Sequence, residues 1–425
     1  MTNLRTHVLD NLRTCLTALV ILHHASTPYG GAGPWPYTSP RYAPNSSSTL
    51  LVFNVLNQTF FMATFFLISA YFSSIAARRK TRSQFLHEKW KRLGVPTCVF
   101  SLIVKGVARG ILAWRLRDEG WHHIGKEVLV GLKIVRGVSG PVWYCALLLI
   151  FDGMYAGLLP SHFADTSPGQ KALDKTFSNK VDTDPSPAAY PLISRTISTP
   201  KEPQPFHTIH VLITLTLISV SSFVIRLYYP VGRPLWPISL QLSFVSQYVV
   251  YYIAGIYVHR SGRSLQNAVS TYTSTIVGTI TALVTSLSLF HIKSITETRM
   301  SSPQLMPLAF GGPNILALLY AFLNEFAGLL IASLVLKALY NPRLSFLGKR
   351  WRVGKVDVAK YSYAAFMVHE PVILDLQCLF GKKGWESMGA VETAFVVGIL
   401  GVVESWMGGV VLKEGIEWIG WKGYL

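Results

Sequence analysis

Long stretches of this chain contain no Asp, Glu, Lys or Arg, among them Tyr42–Ala77, His207–Ile225 and Asn267–Ile292. A helix that crosses a bilayer needs about 20 mainly apolar residues, so each stretch is long enough to cross. Composition agrees. Of 425 residues, 50% are hydrophobic and only 14% charged, against about 25% charged in soluble domains. An aromatic content of 12% excludes a disordered chain. Cys15, Cys98, Cys145 and Cys378 lie far apart, each in an apolar stretch, with no CxxC or Cys/His cluster. That argues against a disulfide framework and against structural zinc.

Weaker apolar runs carry one or two charges. With them the chain reads as an all-α polytopic transmembrane helix bundle of about ten spanning helices, one domain over 1–425. The expected spans are 9–28, 50–77, 93–113, 141–160, 207–226, 239–258, 269–291, 313–337, 360–380 and 391–412. Lys105 and Arg109 interrupt the third, and Glu370 and Asp375 the ninth. Basic loops set orientation. Arg78, Arg79, Lys80, Arg82, Lys89, Lys91 and Arg92 crowd the link between spans two and three; Arg343, Lys349, Arg350, Arg352, Lys355 and Lys360 crowd that between eight and nine. Both links, and His259–Arg263, fall on one side of a ten-helix bundle. That side is expected to be cytosolic, with both termini. The net charge of +18 then reads as topology and attraction to anionic membrane lipid. Nucleic acid is not an expected partner, because the charge is split among loops. The first run carries Asp10, Arg13 and two histidines, unlike a signal peptide. Residues 161–206 form a polar, proline-broken segment, read as a cytosolic insert without catalytic role. The chain shows no internal repeat of the kind many transporters carry.

The first span reads LDNLRTCLTALVILHHAS, Leu9 to Ser26. Arg13 and His24 are eleven residues apart, about 20° past three full turns, so they share one face about 16 Å apart along the axis. Thr17 lies on that stripe, Asp10 can pair with Arg13 one turn away, and His23 points about 100° aside. Ionisable groups at membrane depth usually face the bundle interior or a wet cavity. A histidine held there can be neutral and act as a general base. The same residues also fit a histidine bonded to a carbonyl and an arginine reaching for the interface.

The pattern Leu-Asp-x-x-Arg, then ten intervening residues, then His-Ala-Ser resembles the start of the integral-membrane acyltransferase 3 family, nearest its glucan succinyltransferase-like and fungal branch. QTFFMATFFLISAYFS (58–73), KWKRLGVP (89–96), GPVWYCALLLIFDGMYA (140–156), FGGPNILALLYAFLNEF (310–326) and KYSYAAFMVHEPV (360–372) resemble later family segments in the same order. Two positions depart. Lys89 and Lys91 stand where the family often has arginine, which trades a bidentate fork for a point charge. Ser69-Ala70 replaces a frequent Ser-Gly, which bears on close helix approach.

The resemblance implies an O-acyltransferase that moves an acyl group from acyl-CoA, as co-substrate, to a hydroxyl of a glycan, lipid or small metabolite. His24 is then the general base, with Arg13 and Asp10 on the same stripe. Lys89, Lys91 and Arg92 are the candidates for the phosphates of CoA. Glu325, Trp143, Tyr144 and His369 are candidate substrate contacts. No metal is expected, since the histidines form no ligand cluster. No serine or cysteine stands in a recognisable nucleophile motif, so direct transfer is expected rather than an acyl-enzyme. His122 and His123 read as part of a loop. The alternative reading is a proton-coupled exporter of a small metabolite, since membrane His, Glu and Arg also serve proton relays. The oligomeric state is left open.

Overall fold

The computed structural model describes residues 7–133, 137–138, 140–164, 203–298, 302–354, 356–381, 387–421 and 423. Twelve helices dominate these residues: α1 His7–Ser26, α2 Ser48–Ala77, α3 Arg82–Arg117, α4 His122–Lys133, α5 Trp143–Leu158, α6 Thr208–Tyr228, α7 Val245–Arg260, α8 Thr271–Thr298, α9 Ser302–Phe310, α10 Ile315–Leu339, α11 Val358–Phe380 and α12 Ala390–Trp418. Two antiparallel hairpins of two-residue strands, Pro234–Leu235 with Leu240–Gln241 and Arg352–Val353 with Val356–Asp357, are the only sheet among them. The protein is thus an all-α polytopic bundle. Seven helical segments are long and apolar enough to cross a membrane, and the chain is an integral membrane protein. All ten expected spans occur as helices. α1, α7 and α11 fall outside the seven: α7 has only 16 residues, and α1 and α11 carry buried polar side chains. The core of the 161–206 insert lies outside the described residues.

Two elements differ from expectation. His122 and His123 open a helix, α4, which packs along the second half of α3. Gly106 and Gly110 of α3 permit that approach, since a Cβ on either would overlap the α4 backbone at Val128 or Ile124. α3 itself begins eleven residues before the expected 93 and includes two π-helical turns, Trp90–Gly94 and Phe100–Val104. Pro96 explains the first. Its ring has no N–H to give, so the Arg92 carbonyl one turn earlier is released; Tyr363 on α11 donates its hydroxyl to that carbonyl at 2.8 Å.

The charges that interrupt α3 and α11 answer one another. Lys105 pairs with Glu370, and Arg115 grips Asp375 with two bonds of 2.6 and 3.1 Å. Arg109 turns the other way, to Glu127 on α4. A charge in a membrane bundle is tolerated when paired inside it, and these pairs join the helices. Close packing does the rest. Gly255 of α7 sits against the Leu67 carbonyl and Ala70 of α2. The small residue expected in the family at position 70 is therefore supplied across the contact. α1 lies between α2, α11 and α12.

Candidate active site

α1 ends beneath the loop 27–47, whose Tyr29, Ala32 and Tyr37 are buried. The loop is tied to the helix ends. Asn54 donates to the His23 carbonyl (3.2 Å) and the Ser26 hydroxyl (2.9 Å), and its side-chain oxygen accepts the Ala32 N–H (2.9 Å). These bonds use carbonyl and amide groups that a helix end and a loop leave unsatisfied. Below the loop lies a cavity of about 380 Å³. His23, His24, Gln58, Trp143, Lys105 and Glu370 are among the side chains that line it.

His24 is held by its faces. Its ring stacks on Trp35 (centroids 4.5 Å apart, planes 21°) and on His369 (5.6 Å, 18°). Trp35 is fixed by its indole N–H, which donates to Gln377 Oε1 at 2.6 Å. Gln377 Nε2 in turn donates to the His24 carbonyl at 3.2 Å. Among the described residues neither ring nitrogen of His24 has a hydrogen-bond partner, and the ring faces the cavity. His369 is oriented differently. Its Nδ1 lies 2.7 Å from the Phe366 carbonyl. A carbonyl only accepts, so Nδ1 carries the proton and Nε2 is left as a bare acceptor, buried and unbonded. The expected stripe picked His24 over His23, but both line the cavity: His23 lies edge-on to His24 at 5.5 Å and stacks on Phe61 at 5.2 Å.

Lys105 opens the α-helical part of α3 just after the second π turn, and π turns recur at functional positions. Its ammonium is within electrostatic reach of His24 and bonds Glu370 Oε1, while Glu370 Oε2 has no partner. Gly140, with φ of +73°, touches this pair: a Cβ there would overlap Glu370 Oε2 and sit 3.3 Å from Lys105 Nζ. Both the left-handed backbone and the missing side chain are needed. Lys105, Trp35 and Gln58 were not singled out from the sequence as site residues. The signal for Lys105 was its interrupting charge, which appeared only as a defect in a span.

Arg13 occupies the other end of α1. Its guanidinium lies over the Phe72 ring at 5.1 Å, within electrostatic reach of Tyr144, Arg92 and Asp10. Three helices besides α1 converge there, which gathers Arg13 with two of the expected donor residues. Lys89 is engaged internally: Nζ lies 2.8 Å from Asp152 Oδ2 and 2.6 Å from Ser73 Oγ, and Tyr252 donates to Asp152 Oδ1 at 2.7 Å. The Arg92 side chain is exposed and, like Arg13, makes no ion pair among the described residues. Lys91 is half-buried beside them.

The remaining candidates divide. Trp143 lines the cavity and stacks on Tyr248 at 5.6 Å. Tyr144 turns away, bonding Ser69 Oγ at 2.7 Å on the Arg13 side. Glu325 is fully buried, accepts from Asn324 at 2.9 Å and lies within electrostatic reach of Arg226. It does not line the cavity, whose wall there is Tyr248 and Tyr320. Among the described residues no group of His, Cys, Asp and Glu could hold a metal ion.

The acyltransferase-domain profile of the acyltransferase 3 family matches residues 6–408. The chain belongs to that family. It is a membrane acyltransferase. No curated protein and no solved structure matches the acyltransferase significantly.

Proposed function

We propose that this acyltransferase moves an acyl group from acyl-CoA to a hydroxyl of a glycan, lipid or small metabolite, with His24 as general base. The observation that carries the reading is the His24 imidazole, held by stacking at the wall of a cavity and bonded by neither nitrogen to the protein. A ring so placed is free to take a proton from a bound alcohol. The alcohol oxygen attacks the thioester carbonyl as its proton passes to His24. The C–S bond then breaks, and the departing thiolate takes the proton back from the imidazolium. The ester and free CoA–SH account for every atom.

The thioester enters from the Arg13 end. Arg13 and Arg92, unpaired by carboxylates, are suited to phosphate oxygens. Lys89 supports that end through Asp152, and Lys91 and Asp10 border it. At the cavity, Lys105 spends one of its three N–H donors on Glu370 and has others to offer the oxygen that becomes negative in the tetrahedral intermediate. His369 offers a bare nitrogen beside His24, and Trp143 a flat apolar wall for the acceptor. Glu325 and Tyr144 act behind these walls.

The test supplies membranes containing the protein with radiolabelled acetyl-, succinyl- and long-chain acyl-CoAs. The expected result is label in a product ester from at least one donor, with none bound to the protein through an acid-stable, hydroxylamine-sensitive bond. Substrate flux across sealed vesicles without an acyl donor, and no labelled ester, would overturn the proposal.

A further inference from the structure

A second cavity, of about 290 Å³, lies between α6, α7 and α10, with Leu265–Val269 of the loop after α7 at one end. Leu215, Ile218, Val250, Ala254, Leu329 and Leu336 give it an apolar wall. α6, which borders it, is only 22% buried within the bundle. The rest of that helix is left to meet the bilayer, which opens the cavity sideways to lipid. At one end it is cationic. Phe206 and Tyr257, both in the wall, stack at 5.6 Å, and the Arg263 guanidinium lies over them at 5.1 and 5.6 Å. Arg263 Nε donates to the Gln204 carbonyl at 2.6 Å, and its other nitrogens have no protein partner among the described residues. Lys337 donates to Ser274 Oγ at 3.0 Å, and Ser274 meets Ser333 of the wall at 3.5 Å. Residues 203–212, 245–275 and 326–343 contain no Asp or Glu. Among the described residues the rim therefore carries positive charge without a counter-ion, at the end of the bundle where His259 meets Ser74 of α2.

An apolar slot open to the bilayer and closed by cations at a helix-end level fits one kind of guest, a membrane amphiphile with an anionic head. We propose that the slot holds one acyl chain of an anionic glycerophospholipid, its phosphate between Arg263 and Lys337. The aromatic pair under Arg263 keeps the guanidinium at headgroup level, as interfacial rings do elsewhere. This site is separate from the His24 cavity and does not depend on the reaction assigned there.

The full chain in phosphatidylcholine nanodiscs is doped with phosphatidylserine bearing a photoreactive diazirine in one acyl chain. The expected label falls on peptides of α6, α7 and α10, and unlabelled phosphatidylserine competes for it. Arg263→Glu is expected to lower the labelling by at least about fivefold, the effect of one basic residue near anionic lipid. Ala254→Trp, which fills the slot, lowers it for any head group. Equal labelling by a phosphatidylcholine probe overturns recognition of the head, label elsewhere in the chain overturns the slot, and better competition by acyl-CoA than by phosphatidylserine overturns the bilayer as source. Should either variant fail to fold, native mass spectrometry of the wild type decides: retained anionic lipid supports the proposal, and its absence contradicts it.

Discussion

The two ends of α1 hold ionisable side chains in opposite states. At the Arg13 end, Lys89, Asp152, Ser73 and Tyr252 close on one another, and the carboxylate is fully buried with a partner on each oxygen. At the His24 end, imidazoles are held by stacking and keep uncommitted nitrogens: among the described residues His24 has no ring hydrogen-bond partner, and His369, anchored through Nδ1, keeps a bare Nε2. A permanent buried charge needs a fixed counter-charge. An imidazole can lose its charge, so it can stand in a dry wall with its nitrogens uncommitted. The difference separates a scaffold that must not move its protons from a site that can.

Asp152→Ala breaks the scaffold end hardest. It strands the Lys89 ammonium and the Tyr252 hydroxyl, and the expected cost is about 3–5 kcal/mol. Thermal unfolding in detergent reads it, and Asp152→Asn combined with Lys89→Met recovers most of the loss. An unshifted transition would mean that this end is not locked by charge. Next comes the chemical end. Lys105→Met is expected to lower turnover by about a hundredfold, the scale of losing one oxyanion donor. Glu370→Gln, which keeps the acceptor oxygen, costs less. Initial rates with saturating acyl donor measure both, and equal rates for all three proteins would remove the pair from the mechanism. His23→Phe sharpens the contrast between neighbours. It preserves the stack on Phe61, and a volume-conserving exchange costs less than about tenfold in rate or stability. A loss matching that of the His24 variant would mean that the pair acts as a unit. The smallest effect belongs to the surface. Lys360→Ala removes an exposed pair with Glu414, and at most about 1 kcal/mol is expected, with turnover unchanged.

Much of this was readable from residues alone. Uncharged runs placed the spanning helices because the bilayer forbids unpaired charge there. The eleven-residue spacing placed Arg13 and His24 on one face. Yet the helix carries them past different neighbours, so one stripe serves two separate environments. The Lys105–Glu370 contact was hidden because it joins residues 265 apart in sequence; each charge alone looked like a flaw in its span. Trp35 was hidden for a similar reason, since its place beneath His24 depends on Gln377 of α11. α4 was missed because its alternation of apolar and charged residues is short and meaningful only against the glycines of α3. Lys89 shows the reverse. A basic residue at a helix start suits a phosphate, and only the fold reveals that Asp152 already holds it.

The central claim is that the His24 ring takes the proton of the acceptor alcohol. Its most direct measurement is acyl transfer by purified His24→Ala in nanodiscs, beside wild type and with unfolding temperature recorded on the same samples. Loss of about 10²–10⁴-fold in turnover at an unchanged unfolding temperature is the result the account predicts. Wild-type turnover by a folded His24→Ala protein would contradict it.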